Sequence, residues 1–190
     1  PTLVAAPPNA AWPSAGAGVA VSGGDVPAYM TPYTSSYQYG VRNTSGSVAM
    51  DHCDMWGFAN AVDMHTVDGT TITDCWIHDA AHEGPNVEYH QDGPGYLDGL
   101  GGLSDITIDH CTIASLGNTN AIALQAATSA YSNVTVNNCY LSGFGITVDM
   151  CHNVAGNTGL TFTNNVISTD IQWFYGPIYA DFTAQFAEEA

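Results

Sequence analysis

The sequence predicts an all-β fold, a right-handed parallel β-helix of about five coils with an extended N-terminal arm, and three observations carry that expectation. First, a short motif recurs as Val48-Ala-Met-Asp-His-Cys-Asp-Met55, Thr70-Thr-Ile-Thr-Asp-Cys-Trp-Ile77, Ile106-Thr-Ile-Asp-His-Cys-Thr-Ile113, Val134-Thr-Val-Asn-Asn-Cys-Tyr-Leu141 and Leu160-Thr-Phe-Thr-Asn-Asn-Val-Ile167. Each copy alternates apolar and polar residues, makes a polar turn, sets Cys or Asn at one equivalent position and continues apolar. Second, the copies begin at Val48, Thr70, Ile106, Val134 and Leu160, in steps of 22, 36, 28 and 26 residues. That is the period of stacked units that bury an apolar face only against their neighbours. Third, from about Gly40 onward strand-forming runs alternate with Gly, Asn and Asp turns, and no amphipathic helical stretch of convincing length interrupts them.

The elements follow in order. Residues 1–36 are rich in Ala, Pro, Gly and Ser, and Pro7-Pro8, Trp12-Pro13, Gly23-Gly24 and Thr31-Pro32 break any regular structure. They read as an extended arm for attachment to a larger assembly, or as a cap over the first coil, which an open solenoid end requires. Residues 37–180 form the β-helix and residues 181–190 a tail. A second strand follows several copies of the motif, at Ala59–Met64, Asn120–Gln125 and Gly145–Met150, with Ala61 or Val62, Ile122 and Leu124, and Ile146 and Val148 turned to a shared interior. The aromatic stretch Ile171–Ala180 ends the alternation and covers the last coil or packs in an oligomer.

Cys53, Cys75, Cys111 and Cys139 occupy the repeat's equivalent position and Cys151 lies apart, with no C-x-x-C pair. Coils stacked at one strand spacing, about 4.7–4.9 Å, would align the four as a ladder of buried thiols rather than as disulfides. Asn165 stands where a fifth rung would fall, and a side-chain amide can hydrogen-bond along such a stack.

Charge excludes several classes. Charged residues are 10% of the chain, yet Arg42 is the lone cation among them and the formal net charge is −17. Such a field repels nucleic acid, anionic membranes and strongly anionic polysaccharides. No run of 18 apolar residues is present to insert into a bilayer.

The 36-residue step marks an enlarged coil, and it gathers the titratable groups: His78-Asp79, His82-Glu83, Glu88-Tyr89-His90-Gln91-Asp92-Gly93 and Tyr96-Leu97-Asp98-Gly99. Histidine beside carboxylates can act as general acid and base, and a carboxylate pair can act on a glycosidic bond. His90, Asp92 and Asp98 are therefore the catalytic candidates, with Trp76, Asp79, His82, Glu88, Tyr89, Gln91 and Tyr96 as ligand-contacting candidates. Turn formation is the competing account, because Asp-Gly is also a turn signal. His52 and His110 sit at equivalent repeat positions and read as outward turn residues. No cofactor is expected; Asp92 and Asp98 are the hard-oxygen donors that calcium would need.

With these motifs in hand, the chain resembles the pectate-lyase-like right-handed parallel β-helix superfamily. It is more narrowly similar to β-helix domains of actinobacterial secreted proteins and of minor tail proteins from phages of such hosts. The matching pieces are Cys75–Asp79, His90–Gly93, Ile106–Ile113, Asn120–Gln125, Asn133–Asn138 and Tyr175–Tyr179. The resemblance implies a carbohydrate-facing protein, in a virion or outside the cell, binding cell-envelope glycan and anchored through its N-terminal arm. It also implies self-association, as a trimer by analogy with viral β-helices. Two other readings stand beside this one: a secreted polysaccharide hydrolase or lyase, and a purely structural subunit. A pectate-lyase mechanism is disfavoured, because that chemistry uses an arginine base and Arg42 precedes the repeats.

Overall fold

A computed structural model describes residues 39–43, 45–58, 60–64, 68–80, 92–96, 103–115, 119–124, 129–150, 156–171 and 176–180. Strand β1 (Tyr39–Arg42) precedes five coils of three strands each. The first holds β2 (Val48–Asp51), β3 (Asp54–Trp56) and β4 (Asn60–Asp63); the second holds β5 (Thr70–Thr73), β6 (Trp76–His78) and β7 (Asp92–Tyr96). The third holds β8 (Ser104–Asp109), β9 (Thr112–Ser115) and β10 (Asn120–Leu124), and the fourth β11 (Ser132–Asn137), β12 (Tyr140–Gly143) and β13 (Ile146–Met150). The last holds β14 (Thr158–Thr163), β15 (Val166–Ser168) and β16 (Gly176–Ala180). Among the described residues there is no helix, so none is long and apolar enough to cross a membrane.

Corresponding strands pair in parallel to build three sheets that wrap one interior. Sheet A runs β1-β4-β7-β10-β13-β16, sheet B runs β2-β5-β8-β11-β14 and sheet C runs β3-β6-β9-β12-β15. The register reproduces the spacing of the sequence motif: Val48 pairs with Thr70, Thr71 with Thr107, Ile106 with Val134 and Val134 with Leu160. In-register parallel pairing stacks like on like, so the apolar positions form continuous interior rows. Ile72, Ile108 and Val136 make one row, and Met55, Ile77, Ile113 and Leu141 another, all within the buried core. Burying such a side chain fully contributes about 1.5–3 kcal/mol, which repetition multiplies along the axis. Val62, Ile122, Leu124 and Val148 lie in that interior as expected, whereas Ile146 is only half-buried.

The corner between sheets B and C explains the polar pair in each motif. His52, Asp74, His110, Asn138 and Asn164 all take φ between 51° and 57°, the left-handed region that Asn, Asp and His tolerate best among side-chain-bearing residues. Their side chains and those of the preceding residues bond coil to coil. Thr73 donates to Asp51 at 2.9 Å, Asn137 to Asp109 at 2.9 Å, and Thr163 and Asn164 to Asn137 at 2.9 and 3.0 Å.

Immediately inside that corner the four cysteines form the expected ladder, as free thiols. Each thiol donates to the carbonyl two residues before it, as Cys75 does to Thr73 at 3.1 Å and Cys139 to Asn137 at 3.2 Å. Asn165 completes the column in a different manner from amide-on-amide stacking. Its Oδ1 accepts the Cys139 amide at 2.8 Å while its Nδ2 donates to the Val136 carbonyl at 2.9 Å. Cys75 Sγ likewise accepts the Cys53 amide at 3.4 Å, and the Cys111 thiol lies 3.5 Å from the Ile72 carbonyl of the coil before. The amide thus does for the last coil what sulfur does for the others.

Strand β7 departs from the sequence reading. Asp92-Gly-Pro-Gly-Tyr96 has the composition of a turn, yet it lies between β4 and β10 in the middle of sheet A, with Asn60 opposite Asp92 and Val62 opposite Pro94. The turn account of Asp92-Gly93 is therefore corrected. Gly93 is required because a Cβ there would stand 2.0 Å from the Ala121 carbonyl oxygen, so only glycine lets the backbones approach. Beside it, Arg42 reaches across β1 and β4 to Asp63, Nε to Oδ2 3.0 Å. The 1–36 arm and the 181–190 tail lie outside the described residues.

Candidate functional site

The outer face of sheet C gathers the chemistry. The residue after each ladder position begins the strand and points outward, giving an in-register row of Asp54, Trp76, Thr112, Tyr140 and Val166. The parallel row two residues on is Trp56, His78, Ala114, Ser142 and Ser168. Coil stacking thus brings residues from five separated segments into one sheet, where Asp54, Trp76, Tyr140 and Val166 reach solvent and Trp56, His78, Thr112 and Ser142 are buried.

At the first two coils these rows build a tight polar centre. The His78 side chain is only 4% exposed, with Nε2 at 2.8 Å from Asp54 Oδ1 and Nδ1 at 2.8 Å from Asp79 Oδ2. The Asp79 backbone, at φ 44°, leaves the strand in the left-handed region, and its carboxylate folds back on the neighbouring ring. Trp76 stacks on the same imidazole, ring centroids 3.7 Å apart and planes 22° from parallel. Asp54 and Asp79 remain 40% and 43% exposed, so each presents carboxylate to solvent while held from behind by His78. A small recess beside them is lined by Trp56, Phe58, His78, Ala80 and Phe144.

Two coils further along the face, about 9.5 Å at strand spacing, the half-buried Tyr140 donates its phenol proton to Asp170. Burial above all, and then this bond, push the Tyr140 phenol above its ordinary value. Around the corner, Asp51, His52 and Asp74 bring ligand atoms within 4.8 Å of one another. His110 Nδ1 meets Asp74 Oδ1 at 2.7 Å, and the Thr73 hydroxyl, followed by His52, holds Asp51 below the usual carboxylate range. These contacts belong to the corner stack described above.

Of the residues nominated from sequence, Trp76 and Asp79 meet at this centre. Asp92 and Tyr96 are the two ends of β7, in sheet A. His82, Glu88, Tyr89, His90, Gln91 and Asp98 lie outside the described residues. Asp54, His78, Tyr140 and Asp170 were not nominated. The signal for two of them was present: Asp54 and Tyr140 share the motif position that Trp76 occupies, immediately after the cysteine. His52 and His110 are corner residues as expected, the first exposed and the second half-buried.

Compared with protein-family models, with curated proteins and with solved structures, the chain finds no match. The class is therefore defined by its own architecture, an all-parallel β-solenoid whose arrangement is consistent with the pectate-lyase-like fold.

Proposed function

We propose that this chain is a β-helical glycan-binding protein, carried on a virion as a tail, fibre or decoration component and directed at cell-envelope glycan. The observation that supports it is the aromatic and carboxylate surface of sheet C: Trp76, Asp54 and Asp79 at one point, and Tyr140 with Asp170 two coils away. Sugar rings bury their apolar faces on aromatic side chains and offer hydroxyls to carboxylates, so each cluster has the two components of a sugar subsite. His78 backs the first cluster by fixing both carboxylates before a ligand arrives, which lowers the ordering cost of binding. The acidic field directs the protein to neutral or weakly charged glycans.

The test is calorimetric titration with neutral cell-wall oligosaccharides. If a sugar covers about 60–80 Å² of the Trp76 ring, the loss in Trp76→Ala is about 1.5–2 kcal/mol, or roughly 10- to 30-fold in Kd. Unchanged affinity in Trp76→Ala and Tyr140→Ala, with the fold intact, refutes the site. The enzymatic alternative, a polysaccharide hydrolase or lyase, is read in the same samples as release of new reducing ends. Binding without release rejects it.

A further inference from the structure

We propose that the cysteine column is a binding site for a soft, two-coordinate metal ion, copper(I) in its biological form, held between stacked thiols with Cys53 and Cys75 as the entry pair. The four cysteines fall in register: the carbonyls of Cys53, Cys75, Cys111 and Cys139 accept from the residue after the next ladder position at 2.8, 2.9, 2.9 and 2.8 Å. Rungs of parallel coils stand about 4.7–4.9 Å apart with parallel Cβ directions. A disulfide needs Cβ atoms about 3.5–4.5 Å apart and sulfurs near 2.05 Å, so the column resists that closure. Two metal–sulfur bonds of about 2.3 Å laid end to end span about 4.6 Å, nearly the rung spacing. Thiolate sulfur selects copper(I) among available ions, and a linear two-sulfur site is what a one-dimensional stack of thiols can supply. Zinc, which takes four ligands in a tetrahedron, finds no such set here.

The column is also reachable from one end. Cys53 is half-buried while Cys75, Cys111 and Cys139 are buried, so an ion enters at the first coil. There the Cys75 sulfur already lies 3.4 Å from the Cys53 amide. On binding, one thiol of a pair gives its proton to solvent and its sulfur bonds the metal. The other sulfur bonds through a lone pair and keeps its proton, which leaves a neutral bridge suited to an apolar interior. No electron is transferred. Four rungs make two such pairs, Cys53 with Cys75 and Cys111 with Cys139.

The experiment titrates reduced full-length chain, without oxygen, with copper(I) buffered by a chromophoric chelator, and follows the sulfur-to-copper ultraviolet absorption; silver(I) is the redox-inert control. The expected result is up to two ions per chain. Cys53→Ser and Cys75→Ser should each weaken the first by at least tenfold, with circular dichroism unchanged. Cys151→Ser, at a cysteine that does not occupy the repeat's equivalent position, should leave both in place. Absence of copper(I) binding by the folded chain, binding unaltered in Cys53→Ser and Cys75→Ser, loss of all binding in Cys151→Ser, or zinc binding as tight as copper(I) would each overturn the assignment.

Discussion

Replacing Asn165 by alanine tests whether a side-chain amide and a thiol do the same work in this fold. The substitution removes two contacts, Oδ1 with the Cys139 amide at 2.8 Å and Nδ2 with the Val136 carbonyl at 2.9 Å. Each neutral hydrogen bond contributes about 0.5–1.5 kcal/mol net, so Asn165→Ala should cost about 2 kcal/mol. The site is only half-buried and water reaches part of it, which keeps the loss below the full desolvation penalty of two orphaned backbone groups. Asn165→Cys should cost under about 1 kcal/mol, because sulfur at the equivalent rungs already accepts the amide below it and bonds locally. Urea unfolding supplies the measurement: with a slope near 2 kcal/mol per molar, alanine moves the midpoint down by about 1 M. Coils are coupled only to their neighbours, so hydrogen exchange at the Cys139 amide should localise the loss to the last two coils. An alanine variant within about 0.5 kcal/mol of wild type, or a cysteine variant as damaged as alanine, refutes the equivalence.

Other outcomes follow from the same geometry. Gly143 has φ 83° and a Cβ there would stand 2.2 Å from the Ser115 carbonyl oxygen, so Gly143→Ala should lose about 3 kcal/mol or more. Gly46→Ala, at φ 73° with nothing within 4 Å of its Cβ, should lose about 1 kcal/mol by thermal or urea melting. The Tyr140 phenol is raised by burial and then by its bond to Asp170. Its stabilising contribution is thus present below the unfolded value near 10 and fades as pH climbs through the raised folded value. A difference ultraviolet titration against Tyr140→Phe should show that late ionisation, and Asp170→Asn should bring it earlier.

The scaffold was largely legible in the sequence because stacking makes each coil repeat its neighbour's constraints. The steps from Val48 to Thr70, Ile106, Val134 and Leu160 are the pairing register itself, and the cysteine positions are the ladder. Strand β7 was hidden because Gly93, Pro94 and Gly95 lack strand propensity. Their place comes from close backbone approach to Ala121, which composition does not express. The candidate site was harder to read because its key contact joins Asp54 to His78, 24 residues apart and diagonal across two strands. Density of titratable residues pointed to the stretch from His78 to Asp98, whose first members, His78 and Asp79, lie in this centre. The column after each cysteine, which sets Asp54, Trp76 and Tyr140 in one sheet, was a second line to follow.

The ion pair between Arg42 and Asp63 has a practical consequence. The chain has no lysine, so Arg42 in β1 is its one peptide bond open to a trypsin-type protease. Cutting there requires β1 to leave β4 and enter the protease cleft, and cleavage can occur nowhere else. The rate of that single cut is a ready-made clock for fraying of the first coil, with no label to add and no competing signal to subtract.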